Sequence, residues 1–381
     1  MSQAKIMTVY GTRPEAIKVA PFISAALKDP RFEMIVVSTG QHREMLAQVN
    51  EMFGITPDYD LDIMEQGQTL NMVVGKVVKG LDEILEKEQP DVVIAQGDTT
   101  TAMAAAIASF NRGVRVAHLE AGLRTGNIQS PFPEEANRRL ICQVTSLHLA
   151  PTQDAKANLL REAIPECDVV VTGNTVIEAL LQAQTWDTEF VDERLVALNA
   201  DSPIIMVTTH RRENLNAMAS IGRAMRVLAL EFPDTILVLP AHLNPAVRSA
   251  VFPQIKGLNN VIVTEPLPYD QFTKLMAMST IVLTDSGGVQ EEAPSLGKPV
   301  LVMRENTERP EAIAAGTVKL VGTNEDKIVE EVSRLLNDEA EYAKMANAVN
   351  PYGDGEATRR ILNALAEMFG LGTRSPDFVA R

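Results

Sequence analysis

Short runs of apolar residues rich in valine and isoleucine alternate along this chain with longer segments in which apolar residues recur at helical spacing. Apolar runs of about four to eight residues are typical of buried strands, and the longer segments are typical of amphipathic helices. In the first half, strands are predicted at residues 5–10, 33–38, 91–95, 114–119, 146–150 and 168–172. Helices are predicted at residues 14–27, 43–53, 70–88, 101–110, 134–144 and 153–162.

The same pattern begins again in the second half of the chain. Strands are predicted there at residues 204–208, 235–239, 261–264, 281–284, 300–303 and 318–320. Strands that alternate with helices predict a parallel sheet covered by helices, and the chain of 381 residues exceeds what one hydrophobic core usually holds. We therefore predict an α/β protein of two Rossmann-like halves, joined near residues 173–175.

Composition narrows the class of protein. Hydrophobic residues make up 45% of the chain and charged residues 22%, which is typical of a globular protein. The first residues contain no apolar stretch of signal-peptide length, and no apolar run is long enough to span a bilayer, so we predict a cytoplasmic protein without a membrane partner. A formal net charge of −15 also argues against nucleic acid as a partner, because phosphate backbones attract basic surfaces.

The cysteines and histidines do not form a recognisable metal site. Cys142 and Cys167 are too far apart for a CxxC motif and too few for a disulfide framework, so both are predicted to be core thiols. His42 and His242 follow strands but lack neighbouring ligands at metal spacing. We therefore predict no metal site, and no Ser-His-Asp order is apparent.

Two strand exits have the features of anion-binding sites. In GTRPEAIK, residues 11–18, Pro14 suits a first helical turn and Arg13 stands where free backbone N–H groups would face an anion; the alternative is a surface ion pair of Arg13 with Glu15. In the second half, Ser286, Gly287 and Gly288 follow a buried strand and form a second such turn. One anion site in each half favours a diphosphate compound, whereas the absence of GxGxxG disfavours a nicotinamide cofactor.

Acidic and histidine side chains stand at the remaining strand exits, where ligands bind in sheets of this kind. Asp98 follows one strand, with an N-cap role as the alternative. Glu120 leaves the next strand, and Glu134 follows a loop broken by prolines. His210 leaves a strand of the second half beside Arg211, with a purely structural role as the alternative. Glu292 lies one turn after the glycine pair, either binding a ribose diol or on a solvated helix face.

Together these motifs resemble the non-hydrolysing UDP-N-acetylglucosamine 2-epimerases of bacteria. The similarity runs in order through GTRPEAIK (11–18), GDTTT (97–101), HLEAGLRTG (118–126), SPFPEEANR (130–138), HRRE (210–213), DSGGVQEEAPSLGKP (285–299) and NPYGDG (350–355). The resemblance implies the glycosyltransferase-B architecture, in which two Rossmann-like domains with parallel sheets surround a central cleft. The expected domains are residues 1–172 and 173–355, with a C-terminal helix at about 356–381 that packs back on the first domain.

The resemblance also implies a reaction that needs no cofactor. UDP is eliminated from UDP-N-acetylglucosamine to give 2-acetamidoglucal and is then added back, which yields UDP-N-acetylmannosamine for polysaccharide biosynthesis. Protons must move on both faces of carbon 2, which one carboxylate cannot reach. Asp98, Glu120 and Glu134 match the acidic catalytic positions of the family, and His210 matches its catalytic histidine.

Ligand contacts follow from the same resemblance. The positions that match UDP-binding residues are Arg13, Lys18, Phe272, Ser286, Gly287, Gly288, Glu292 and Arg309. A second UDP-N-acetylglucosamine is expected to act as an activator near Gln41, His42, Glu44, Arg211 and His242, although some members have glutamine at the position of Glu44. The family implies a homodimer. The alternatives are a glycosyltransferase of the same architecture, a hydrolysing epimerase that releases N-acetylmannosamine, and a non-catalytic sensor of UDP-sugars.

Overall fold

The chain divides into two compact units, Met1–Ala179 with Tyr352–Ala380, and Leu180–Pro351. The computed structural model describes residues 3–41, 43–199, 202–307 and 309–380, and it leaves out the side chains of residues 43–45, 212 and 213. The limits of the units differ by a few residues from the domain limits predicted at 172 and 355, which stay a prediction. No helix among the described residues is both long and apolar enough to cross a membrane.

Unit 1 is built on a seven-stranded sheet with the order β3-β2-β1-β4-β5-β6-β7, and every neighbouring pair of strands is parallel. The strands are β1 (Ala4–Tyr10), β2 (Phe32–Ser38), β3 (Tyr59–Asp60), β4 (Val92–Gln96), β5 (Arg115–Leu119), β6 (Leu147–Ala150) and β7 (Val169–Val171). The helices are α1 (Arg13–Ala26), α2 (Arg43–Phe53), α3 (Leu70–Glu88), α4 (Thr100–Asn111), α5 (Glu134–Val144), α6 (Gln153–Arg161), α7 (Val176–Ala183), which ends in the second unit, and α16 (Ala357–Met368). This strand order is that of a Rossmann fold.

Unit 2 contains a six-stranded parallel sheet with the order β10-β9-β8-β11-β12-β13. Its strands are β8 (Ile204–Thr208), β9 (Ile236–Pro240), β10 (Val261–Thr264), β11 (Ile281–Thr284), β12 (Val300–Val302) and β13 (Val318–Leu320). Its helices are α8 (Glu193–Val196), α9 (Met218–Glu231), α10 (Pro245–Ile255), α11 (Tyr269–Met278), α12 (Gly287–Glu292), α13 (Pro310–Ala315), α14 (Glu325–Asn337) and α15 (Glu339–Ala346). The predicted pair of Rossmann-like halves with parallel sheets is therefore confirmed.

Local sequence explains why these elements form. All five residues of β4 are buried, as expected of a strand with helices on both faces. The helix α3 begins where the Thr69 hydroxyl accepts a hydrogen bond from the Met72 backbone N–H at 3.2 Å, and it buries a face that includes Val73, Val77 and Leu81. One prediction was wrong: Cys142 is buried, but Cys167 is exposed and is not a core thiol.

Gly122 lies where a helix passes very close to the backbone after β5. A Cβ atom there would stand 2.3 Å from the Ala155 carbonyl oxygen, and the φ angle of Gly122 is +91°. We expect Gly122→Ala to lower the free energy of unfolding by about 1–2 kcal/mol for the left-handed backbone and by about 1–3 kcal/mol more for the clash. Gly126→Ala is the matched control, because its φ is +80° and nothing lies within 4 Å of its Cβ position. Equal losses in urea unfolding of the two variants would contradict the clash.

A half-buried carboxylate, that of Glu178, joins α7 to α16 within unit 1. Glu178 accepts hydrogen bonds from the Thr358 backbone N–H at 2.9 and 3.1 Å and from the Thr358 hydroxyl. Burial, together with the nearby negative charges of Glu356 and Asp354, raises the pKa of Glu178 to about 7, against the effect of the Thr358 hydrogen bonds. The ionised carboxylate is therefore disfavoured in the folded protein.

This pKa shift has a defined effect on stability. Because the carboxyl binds its proton more tightly in the folded state, the protein loses stability as pH rises from 4.5 to about 7, by roughly 3 kcal/mol. We expect Glu178→Gln to raise the thermal midpoint relative to the intact protein at pH 8, and the two midpoints to converge near pH 5. Glu356→Gln makes the same charge change at an exposed neighbour and should shift the midpoint far less. Parallel pH curves for the intact protein and Glu178→Gln would reject the shift.

Candidate functional site

Glu120 is held tightly at the exit of β5. Its φ of +66° is in the left-handed region, which residues with a side chain adopt only rarely. One carboxylate oxygen, Oε1, lies 2.5 Å from the Lys18 ammonium and 3.5 Å from the Asn174 amide nitrogen. The other, Oε2, accepts a hydrogen bond from the Gln96 amide at 2.7 Å. Only 9% of this side chain is exposed, so a strained backbone presents a fixed carboxylate.

Asp98 is held by a different cation. The Arg138 guanidinium lies 2.5 Å from Asp98 Oδ2, and the Asn137 amide donates to the Asp98 carbonyl oxygen at 2.8 Å. Asp98 does not cap the following helix, since the Thr99 hydroxyl accepts from the Ala102 backbone N–H at 3.0 Å instead. The N-cap alternative for Asp98 is therefore wrong. Its side chain remains 28% exposed and can reach a ligand.

The two adjacent acids at the start of α5 have different surroundings. Glu135 is fully buried and accepts hydrogen bonds from the backbone N–H groups of Thr125 and Gly126, at 3.0 and 3.3 Å. It also lies 3.3 Å from Arg138, so it supports the loop and the cation that holds Asp98. Glu134 is only half-buried, and its Oε2 is a buried oxygen without a hydrogen-bond partner among the described residues. Of the two, Glu134 has an oxygen whose capacity to accept a hydrogen bond is unused among the described residues.

Arg13 is the first residue of α1 and is half-buried. The neighbouring Glu15 is buried, not at the surface as the ion-pair alternative supposed. Its carboxylate accepts hydrogen bonds from the backbone N–H groups of Gly11 and Thr12, at 3.0 and 2.7 Å, and from the Thr99 hydroxyl at 2.5 Å. Burial raises the pKa of Glu15, and these hydrogen bonds act in the opposite direction. Glu15 thus connects the turn after β1 to the turn after β4.

His210 is paired with a buried acid in unit 2. Its Nδ1 lies 3.2 Å from Oδ1 of Asp285, which is fully buried. The same carboxylate accepts from the backbone N–H groups of His210 and Arg211 and from the Thr209 hydroxyl, at 2.9–3.1 Å. Burial raises the pKa of Asp285, but the hydrogen bond and charge of His210 and the backbone donors outweigh it, so that the pKa is lowered. A carboxylate on Nδ1 fixes the ring and leaves Nε2 for a ligand.

The imidazole of His210 also stacks on His242, with the ring centroids 5.7 Å apart. Burial, followed by the positive charge of His210, lowers the pKa of His242. The Nδ1 atom of His242 accepts from the Asn244 backbone N–H at 3.1 Å. His242 and Arg211, both predicted near an activator, therefore lie in one cluster with His210. Of the other activator positions, Gln41 accepts from the Thr101 hydroxyl at 2.7 Å, whereas His42 and the side chain of Glu44 lie outside the described residues.

The glycine turn after β11 is shaped by an arginine. A Cβ atom on Gly287 would stand 2.6 Å from a guanidinium nitrogen of Arg309, so only glycine allows this approach. Arg309 donates from Nε to the buried Glu291 at 2.7 Å. Glu292 is 7% exposed, which makes the solvated-face alternative wrong. The remaining predicted contacts are Ser286 at the N-cap of α12, Gly288 in its first turn and the half-buried Phe272 in α11.

Several residues that hold the candidate side chains were not predicted. They are Gln96, Arg138, Asn174, Asp285 and Glu291. Asp285 could have been predicted as a site residue, because it directly follows a buried strand and stands one residue before the glycine turn. Lys18 was predicted as a UDP contact, and the structure places its ammonium on Glu120. The carboxylate of Glu120 is therefore paired with a cation.

Comparisons with known proteins find relatives that match nearly the whole chain. The family model described as UDP-N-acetylglucosamine 2-epimerase matches residues 25–366. The UDP-N-acetylglucosamine 2-epimerase of Escherichia coli K12 is 50% identical over 95% of this chain and 98% of its own. The crystal structure of UDP-GlcNAc 2-epimerase from Neisseria meningitidis bound to UDP-GlcNAc is 47% identical, with a TM-score of 0.90 over 95% of this chain and 100% of that one.

A more distant structural relative supports the fold alone. The structure of a glycotransferase of kitacinnamycin is 12% identical and has a TM-score of 0.63 over 91% of this chain and 94% of that one. The architecture implied by the resemblance to the epimerases is thus shared by a protein with little sequence similarity. With half of its residues identical to the E. coli enzyme over nearly the full length of both, and with a family model matched over most of its length, the chain belongs to the UDP-N-acetylglucosamine 2-epimerase family.

Proposed function

We propose that this protein interconverts UDP-N-acetylglucosamine and UDP-N-acetylmannosamine without hydrolysis, by eliminating UDP to 2-acetamidoglucal and adding it back. The observation that carries the proposal is Glu120, whose carboxylate is fixed by Lys18 and Gln96 on a left-handed backbone. Such strain is concentrated at functional sites. The N. meningitidis relative, which is bound to UDP-GlcNAc, supports the choice of substrate.

The roles follow from the chemistry of each side chain. Asp98, Glu120 and Glu134 move the proton at carbon 2, and each positioned acid or base contributes roughly 10²–10⁴-fold to the rate. Arg13, Lys18, Ser286, Gly287, Gly288, Glu292, Arg309 and Phe272 bind UDP. Backbone N–H groups and cations stabilise the diphosphate as its bond to carbon 1 breaks. His210, oriented by Asp285, assists the departure of the diphosphate or the proton transfer.

The wider setting is part of the same proposal. A cytoplasmic homodimer would draw on UDP-N-acetylglucosamine both as substrate and as activator, and its product would supply polysaccharide synthesis. Activation by substrate predicts a sigmoidal dependence of rate on the concentration of UDP-N-acetylglucosamine, which a steady-state titration measures. A hyperbolic curve would count against the activator site.

Identification of the products tests the central claim. Incubation with UDP-N-acetylglucosamine alone, followed by proton NMR, should yield UDP-N-acetylmannosamine while the total UDP-sugar stays constant. Stoichiometric release of UDP and free N-acetylmannosamine would favour a hydrolysing epimerase. Glycosyl transfer to an added acceptor, without epimer formation, would favour a glycosyltransferase. Binding of the substrate without any product would favour a sensor of UDP-sugars.

A further inference from the structure

Gln96 is the last residue of β4, and its side-chain amide donates a hydrogen bond to Glu120. The residue is 2% exposed, and Nε2 donates to Glu120 Oε2 at 2.7 Å. Its other amide atom, Oε1, is buried without a hydrogen-bond partner among the described residues. A buried polar atom without a hydrogen-bond partner destabilises the fold, so an apolar residue at this position would remove a cost that the glutamine carries. The hydrogen bond to Glu120 is the interaction that offsets this cost.

The two oxygens of Glu120 are held by different kinds of donor. Lys18 and Asn174 both approach Oε1, and Lys18 does so from the end of a flexible side chain. Gln96 holds Oε2 from the end of a buried strand, which is a far more rigid support. Without the Gln96 amide, Oε2 loses this rigid donor, and the orientation of the carboxylate is less constrained.

We propose that Gln96 is a positioning residue for proton transfer: its amide fixes Oε2 of Glu120, and so sets the plane in which the Glu120 carboxylate meets carbon 2. The inference rests on the proposed function, because it assigns a consequence for turnover to a contact within unit 1. A carboxylate displaced by about 1 Å can lose on the order of 10²-fold in rate. Because the UDP contacts are assigned to other residues, the affinity for UDP should be preserved.

The test uses Gln96→Met, which keeps the length of the side chain and removes the donor. We expect kcat for epimerisation to fall roughly 10–100-fold, while KM and the affinity for UDP, measured by calorimetry, change less than about twofold. Gln153→Met, an exposed glutamine of the same unit, is the control for the substitution itself. Unchanged kcat, or a loss of UDP affinity as large as the loss of kcat, would overturn the proposal.

A second variant separates positioning from a merely structural role. Gln96→Glu places a second carboxyl group against Glu120, and two carboxyl groups at hydrogen-bond distance share one proton. We expect the acid limb of the pH profile of kcat to move to higher pH in this variant, whereas Gln96→Met lowers kcat at all pH values. Identical pH profiles for intact protein and Gln96→Glu would overturn the role of the amide.

A third measurement does not depend on turnover. Crystal structures of the intact protein and of Gln96→Met, grown at one pH, should show the Glu120 carboxylate rotated or displaced in the variant. If it is unmoved, Gln96 does not position Glu120, whether or not the protein is an epimerase. If it moves but the intact protein forms no epimer, the contact is as inferred and the proposed function is the part that fails.

Discussion

Asp285→Asn is expected to slow epimerisation by roughly 10²–10⁴-fold while leaving the protein folded at neutral pH. Asparagine has nearly the shape of aspartate, but one carboxylate oxygen becomes an NH₂ group. The groups around Asp285 are donors, namely His210 Nδ1, the backbone N–H groups of His210 and Arg211, and the Thr209 hydroxyl. If the NH₂ group of the asparagine faced Nδ1–H of His210, two hydrogen-bond donors would oppose each other. The imidazole would then lose its orientation or change its tautomer.

The same substitution should alter the response to acid. Because the pKa of Asp285 is lowered in the folded protein, its ionised form stabilises the fold above the ordinary carboxyl value of 3.8. That contribution is lost as pH falls below 3.8 and through the lowered pKa. Asp285→Asn lacks it at every pH, so the variant should unfold at a lower temperature than the intact protein at pH 7. The gap should narrow as the pH falls below about 4.

The control for this experiment is Asp234→Asn, an exposed acid of the same unit. It removes one negative charge without touching the histidine cluster, and it should change neither turnover nor the acid response. If Asp285→Asn retains more than about half of the activity of the intact protein, the orientation of His210 by Asp285 has no catalytic consequence. A loss of activity that simply follows a loss of folded protein would place Asp285 among the structural acids.

The elements that carry the site could be predicted because they have strong local signals. The helices α2, α3 and α5 begin and end at the predicted residues, and the strands β8, β10, β11 and β13 do so as well. Each combines a clear apolar period with a polar or glycine-rich boundary. The strand β3 was missed because two residues are too few to show any period. The exposure of Cys167 was not predicted, because the general tendency of cysteines to be buried does not determine the position of an individual cysteine.

The partners of the candidate side chains could not be predicted, because local signals carry no information about contacts between residues that are far apart in sequence. Lys18 and Glu120 are separated by 102 positions, and Arg138 and Asp98 by 40. The rule that ligands bind at strand exits identified the carboxylates, because it depends only on where each strand ends. It could not show that Glu120 would meet a lysine and Asp98 an arginine. These different cations make the two carboxylates chemically unequal, which bears on their separate roles.

That inequality leads to the prediction on proton transfer. In heavy water the intact enzyme should place deuterium at carbon 2 of both sugars, because each addition of UDP draws its proton from a group that has exchanged with solvent. The variants are Asp98→Asn, Glu120→Gln and Glu134→Gln, which nearly keep shape and remove the carboxylate. We expect each to lower epimerisation by about 10²-fold or more. Proton NMR of the carbon-2 signals, with assay of released UDP, distinguishes exchange from inversion.

The variants should not fail in the same way. If, as proposed, different groups serve the two faces of carbon 2, removing one group leaves the half-reaction of the other. We expect at least one variant to exchange the carbon-2 proton of UDP-N-acetylglucosamine, or to release UDP and the glycal, while forming almost no mannosamine epimer. Glu134→Gln tests the acid whose Oε2 has no hydrogen-bond partner among the described residues, and Glu120→Gln tests the one held by Lys18 and Gln96. If all three variants lose exchange and inversion in equal proportion, the carboxylates do not serve separate faces and instead act as one coupled network.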